Sequence, residues 1–247
     1  MLTAAAFVPS PPLLVPQLAG AAASETDRLR RAALDVSTRL GVSCAEWTVV
    51  GVAEPGMPFV ADVDPESCGT FAGFGVDVRV CLSPDASDRG AVDRAMPLTA
   101  LIAGWLRDQA APESRLRVRM LAPDTPADEC ARLGAALRRE LDARPTPQAL
   151  LVVADGANTL TDKAPGAFDA RSADVQSMLD TALADGDCGA LELLEPALCS
   201  AIGLSGRAAW QTLSAVFGGE NGGPSKSEAL YAGAPYGVGY DVGMWWP

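Results

Sequence analysis

The sequence predicts a single α/β domain over residues 1–247, with a central, mostly parallel or mixed sheet and helices on both faces. Three observations carry that expectation. Leu2–Val8, Trp47–Ala53 and Ala149–Ala154 are short, nearly continuous apolar runs, as expected of strands buried on both faces. Segments with helical spacing of apolar residues separate them, which is how parallel strands are joined. Two further strand-like pieces, Ser227–Ala232 and Val238–Trp245, lie so close in sequence that they predict an antiparallel pair.

Leu2–Val8 reads as a first strand, halted by Pro9-Ser10-Pro11-Pro12, because proline donates no backbone hydrogen bond and fixes φ. Ser24 with Asp27 three residues on suggests a capping box. Leu29, Ala32, Ala33, Val36 and Leu40 then keep helical spacing, and Gly41 supplies a stop. Trp47–Ala53 reads as an interior strand ending at Glu54-Pro55-Gly56, and residues 54–75, rich in Gly, Pro and Asp, as a long loop. Val76, Val78, Val80 and Leu82 alternate with polar residues and predict a half-buried strand, and Leu98–Gln109 a helix. Leu116, Val118 and Met120 alternate with Arg115, Arg117 and Arg119, a strand whose arginines read as a solvated face. Thr125-Pro126 suggests a hydroxyl cap and first-turn proline for a helix to about Ala143. Helical patterns resume over 171–184 and 190–217. Gly218–Gly223 reads as a connector, since it lacks the lysine and hydroxyl of a phosphate loop.

With 49% hydrophobic and 20% charged residues, the 247-residue chain has the apolar content for a folded core. A net charge of -12 argues against partnership with nucleic acid or an anionic membrane surface. Met1–Gly20 has no cationic leader and carries four prolines, and no run of about 18 apolar residues appears, so a soluble, cytoplasmic protein is the expectation. The six cysteines form no C-x-x-C pair and read as scattered, reduced thiols. The chain has no histidine, which excludes histidine-ligated metal and histidine acid–base chemistry.

In open α/β sheets ligands gather beyond the carboxyl ends of the strands. Three such ends deliver the candidate cleft residues: Ser10 from the first strand, Glu54 with Pro55 and Gly56 from the second, and Asp155 with Asn158 from Ala149–Ala154. Each has a plainer reading as a turn or solvated residue. Gly203-Leu204-Ser205-Gly206 is not a serine-hydrolase elbow, lacking both the spacing and a histidine base.

At these positions the sequence resembles the class III extradiol dioxygenase superfamily, of the B-subunit type that also includes Memo-like proteins. Phe7-Val8-Pro9-Ser10-Pro11-Pro12-Leu13-Leu14-Val15-Pro16 is similar to the family's opening strand and His-Pro-Pro-Leu-Ile-Pro turn. Val49–Gly56 resembles the second strand with its Pro-His turn, and Ala154–Gly166 the segment Ser-Gly-Asp-Leu-Ser-His-Arg-Leu. The closing Gly233-Ala234-Pro235-Tyr236-Gly237-Val238-Gly239-Tyr240 resembles actinobacterial members of unassigned function.

The resemblance implies an iron held by two histidines and a carboxylate, with a further histidine as acid–base catalyst. Here Ser10 stands where the first ligand is expected, Pro55 or Gly56 where the second is, and Asn158 where the acid–base group is. The carboxylate ligand corresponds to Glu228, to Asp241, or to neither. A hydroxyl and a glycine do not replace imidazole, and an amide does not cycle a proton, so no iron site and no ring cleavage by the family mechanism are expected.

The leading expectation is therefore a non-catalytic or repurposed relative, a pseudoenzyme without a cofactor, whose old cleft binds a small molecule or a protein partner. The first alternative is a hydrolase using Mg²⁺ or Mn²⁺ held by Glu54 and Asp155. The second is a homodimer built on Tyr236, Tyr240, Trp245 and Trp246.

Overall fold

A computed structural model describes residues 1–20, 24–54, 61–88, 92–219 and 222–247. Seven strands form one mixed sheet, and a two-stranded sheet stands apart from it. The parallel centre consists of β6 (Arg115–Leu121), β2 (Glu46–Val52), β7 (Gln148–Val153) and β1 (Leu2–Val8), in that spatial order. β3 (Asp62–Val63) adds antiparallel outside β6. At the opposite side β9 (Tyr240–Trp246) runs antiparallel to β1, and β8 (Lys226–Gly233) antiparallel to β9, as the close spacing of the last two strand signals predicts.

Alternation within the central strands builds two apolar layers. Ala4, Ala6 and Val8 of β1 and Ala149, Leu151 and Val153 of β7 face α2 (Asp27–Ser43) and α3 (Leu98–Ala110). Ala5, Phe7, Leu150 and Val152 face the layer of α4 (Ala127–Ala143), α5 (Ser172–Asp185), α6 (Cys188–Glu192), α7 (Pro196–Ala201) and α8 (Arg207–Phe217). Residues that are apolar on both parities are what a strand covered on both faces requires. The chain travels from β1 outward to β2 and β6, then reverses to β7. With the direction reversed, α4 lies on the face opposite α2, as right-handed crossovers require.

Several local expectations are corrected. α2 begins at Asp27 with Thr26 as its N-cap residue and no side-chain cap, so Ser24 and Asp27 make no capping box. Gly41 does not stop α2, which continues to Ser43; a Cβ there would lie 2.6 Å from Cβ of Ala111, so glycine permits close approach to the end of α3. α4 starts after Pro126, and Thr125 Oγ1 donates to the Ala122 carbonyl at 2.7 Å instead of capping the helix. The 190–217 pattern is three helices, broken at Pro196 and around Gly203 and Gly206. Only Arg79–Cys81 of the Val76–Leu82 alternation forms a strand, β5, and it pairs with β4 (Cys68–Thr70) outside the main sheet. Residues 54–75 thus contain β3, β4 and a short 3-10 turn at Phe71–Phe74, rather than an unbroken loop.

The cysteine expectation is also corrected. Cys68 and Cys81 sit opposite each other in the β4–β5 ladder and form a disulfide, while Cys44, Cys130, Cys188 and Cys199 are free and buried. Strand pairing joins thiols that the spacing alone leaves apart. Among the arginines of β6, Arg115 pairs with Glu66 and Arg119 with Glu140. Of the four C-terminal aromatics, Trp245 packs edge-on to Phe7 and Phe217 inside the chain and Tyr240 is also buried. Trp246 lies beneath Lys226 and Arg39, leaving Tyr236 as the exposed member. These residues do not form the exposed aromatic cluster on which the homodimer expectation rests. No helix among the described residues is long and apolar enough to cross a membrane.

Candidate functional site

The strands carrying the candidate residues are neighbours, in the order β2, β7, β1, yet their carboxyl ends send the side chains to three places. Pro55 and Gly56 lie outside the described residues.

Ser10 and Asp155 meet. β1 and β7 pair in register to Val8 and Val153, and the Ala154 amide donates to the Val8 carbonyl at 2.9 Å, which brings the next residues side by side. Ser10 donates from its backbone amide to Asp155 Oδ1 at 2.7 Å and from its hydroxyl to Asp155 Oδ2 at 2.6 Å. Trp210 Nε1 donates to the Asp155 carbonyl at 3.3 Å. Burial pushes the Asp155 carboxyl above the usual range, and the two Ser10 donors act against that shift. Tyr240 stands nearby, its phenol held above its ordinary range first by burial and then by the Asp155 charge. With its proton committed to Asp155, the Ser10 hydroxyl ties the proline-stiffened turn to the end of β7.

Glu54 lines a separate cavity of about 410 Å³ at the carboxyl ends of β2 and β6. The Ala53 amide still extends the ladder, donating to the Leu121 carbonyl at 2.8 Å, and the chain leaves the sheet at Glu54. Thr70 and Phe74 line the cavity from β4 and its following turn, Met96 and Leu101 from the entry to α3 and its first turns, and Met120 from β6. The Cys68–Cys81 bridge fixes the hairpin that supplies Thr70. Gly69 lets that hairpin pack closely, since a Cβ there would stand 2.6 Å from Met96 Sδ. The lining is mostly apolar, and within it Glu54 Oε1 is buried with no hydrogen-bond partner among the described residues. The Thr70 hydroxyl is engaged elsewhere, donating to Asp77 Oδ1 at 2.8 Å.

Asn158 belongs to the opposite layer. It lines a smaller cavity of about 200 Å³ with Cys199, Ser200, Gly203 and Arg207. Arg207 is buried and donates to the carbonyls of Thr125 at 2.6 Å and Pro123 at 3.1 Å, and to Gln211 Oε1 at 2.8 Å. Among the described residues the four candidates thus divide: Ser10 is bonded to Asp155, while Glu54 and Asn158 line different cavities rather than the one cleft expected. Asp155, with both carboxylate oxygens accepting from Ser10, is not part of the lining that holds Glu54, the other carboxylate of the expected Mg²⁺ or Mn²⁺ pair. Among the described residues no group of three or more Cys, Asp and Glu is placed to hold a metal ion.

The two C-terminal carboxylates differ sharply. Glu228, on β8, forms a two-point ion pair with Arg39, with bonds of 3.0 and 2.9 Å. Asp241, on β9, is buried against α5, where Gln176 Nε2 donates to Asp180 Oδ1 at 2.6 Å and to Asp241 Oδ2 at 3.3 Å. The Ala157 amide donates to Gln176 Oε1 at 2.8 Å, fixing which end of the amide faces the acids. Burial, and then the neighbouring Asp180 charge, pushes the Asp241 carboxyl up to about 8. Gly156 and Gly239 leave room for Gln176 that side chains there would fill.

The fold and its cavities define an α/β protein with a seven-stranded mixed sheet and an apolar cavity at the carboxyl ends of two parallel strands. No protein-family model matches the chain, and no curated protein matches it. Among solved structures, the crystal structure of an uncharacterized protein from Escherichia coli K12 matches at 11% identity with a TM-score of 0.47. The match covers 98% of this chain and 99% of that one.

Sequence reasoning singled out Glu54 but not the residues that line the cavity with it. Met96 and Leu101 carry only a core-helix pattern, and Thr70 and Phe74 fall in a stretch read as loop. The available signal was the pair of cysteines flanking the Phe71–Val80 stretch, which strand pairing places face to face.

Proposed function

We propose that this chain is a small-molecule-binding relative of the class III extradiol dioxygenases that has lost the iron site, and that its ligand occupies the cavity beside Glu54. The carrying observation is that cavity: about 410 Å³, mostly apolar, and opening at the carboxyl ends of β2 and β6. Its volume lies within the range of roughly 300–1,000 Å³ typical of ligand pockets, and a few polar groups in an apolar lining are their usual composition. The loss of family chemistry is supported by Ser10 and Asn158, which stand at expected histidine positions and carry no imidazole: the Ser10 hydroxyl is bonded to Asp155, and Asn158 lines a cavity apart from that of Glu54.

The test uses Gly73, which lines the cavity and has open space where a Cβ would stand. Wild type and Gly73→Trp are screened against a metabolite library by thermal shift. Ligands that raise the wild-type Tm and leave the Gly73→Trp Tm unchanged support the reading. Hits that stabilise both proteins equally, or no hits with wild type, overturn it.

A further inference from the structure

We infer that the ligand of this cavity is cationic: an ammonium or similar charged N–H donor on an apolar body, with the donor paired to Glu54. The inference rests on the ligand-binding reading above and adds the class of ligand to it.

Glu54 Oε1 is buried, and no described residue donates to it. A buried acceptor left unpaired costs free energy, and a carboxylate oxygen costs more than a neutral one. Its neighbours in the lining do not relieve it. Phe74, Met96, Leu101 and Met120 offer no N–H or O–H side-chain donor, and the Thr70 proton is already given to Asp77. Asp93 and Arg94 are exposed residues of opposite charge, so together they add no net charge to the lining.

An incoming ammonium supplies the missing donor and a compensating charge in a single contact, the stronger kind of hydrogen bond. A neutral apolar molecule of the same shape fills the volume but leaves Glu54 Oε1 unpaired. A carboxylate ligand adds like charge to the same place. The chain's net charge of -12 also draws cations toward the surface at long range and repels anions.

The probes are 2-(1-naphthyl)ethylamine, the alcohol 2-(1-naphthyl)ethanol and 3-(1-naphthyl)propanoic acid, titrated calorimetrically at pH 7 into wild type, Glu54→Gln and Gly73→Trp. The expected result is that wild type binds the amine about tenfold or more tighter than the alcohol, and the acid more weakly than either. Glu54→Gln is expected to lose about tenfold in amine affinity and only a few-fold in alcohol affinity, because the alcohol O–H can still donate to the amide oxygen, and retained alcohol binding also shows that the variant is folded. Equal affinity of wild type for amine and alcohol, or an unchanged amine affinity in Glu54→Gln, overturns the cation assignment and leaves the cavity reading standing. Failure of wild type to bind amine or alcohol, or undiminished binding by Gly73→Trp, overturns the cavity reading and this inference with it.

Discussion

Replacing Asp241 by asparagine is expected to remove a pH dependence of stability that the fold builds into the space between β9 and α5. The asparagine keeps the shape of the buried group, and its amide can donate to Asp180 while its carbonyl accepts from Gln176. In the wild type the carboxyl is pushed up to about 8 in the fold, against about 4 in an unfolded chain. Between those values the folded chain holds a proton that the unfolded chain has released. The stabilising contribution is therefore complete below the unfolded value and is lost as pH rises through the folded one.

A fully separated titration changes stability by about 1.4 kcal/mol per pH unit in the middle of such a window. Sharing of the proton with Asp180 and relaxation around the pair reduce this, and the expected wild-type loss between pH 5 and 8 is about 2 kcal/mol. The chain contains no histidine, so none titrates within the window to obscure the effect. Urea denaturation at pH 5, 6, 7 and 8 measures it: the wild-type midpoint should fall with pH and that of Asp241→Asn should fall markedly less, the remaining slope coming from other carboxyls that burial raises, such as Asp155. A variant that keeps the full wild-type slope would refute the assignment of the raised carboxyl to Asp241.

Two further outcomes follow from the packing. Thiol titration of the unfolded, unreduced protein should report four free thiols, since Cys68 and Cys81 are joined; six would refute the bridge. Ser10→Ala removes the hydroxyl donor to Asp155 and should cost about 1–3 kcal/mol in urea denaturation at pH 7. Because Ser10 favours the charged carboxylate, that cost should shrink at acid pH, and a pH-independent loss would contradict the role given to this bond.

The central strands were legible because burial on both faces leaves a residue-level mark: Leu2–Val8, Trp47–Ala53 and Ala149–Ala154 are apolar at nearly every position. Helix limits were less so, because their causes are tertiary. Gly41 looks like a terminator until Ala111 is seen against it, and Thr125 looks like a cap until its hydroxyl is found turned to Ala122. The site was legible one residue at a time but not as a constellation. Adjacent strand ends establish proximity of the backbone, whereas the direction of each side chain beyond the last ladder bond is set by the following turn. Ser10 and Asp155 turn toward each other, Glu54 joins α3 and the β4–β5 hairpin, and Asn158 joins α7 and the start of α8. The disulfide that secures the hairpin depends on register, which cysteine spacing does not encode.

The most direct test of the ligand-binding account is a crystal structure of the wild-type protein soaked with 2-(1-naphthyl)ethylamine. The account expects the naphthyl ring among Phe74, Met96, Leu101 and Met120, with the ammonium on Glu54. A probe bound only elsewhere, or a naphthyl ring in the cavity with its ammonium turned away from Glu54, would contradict it.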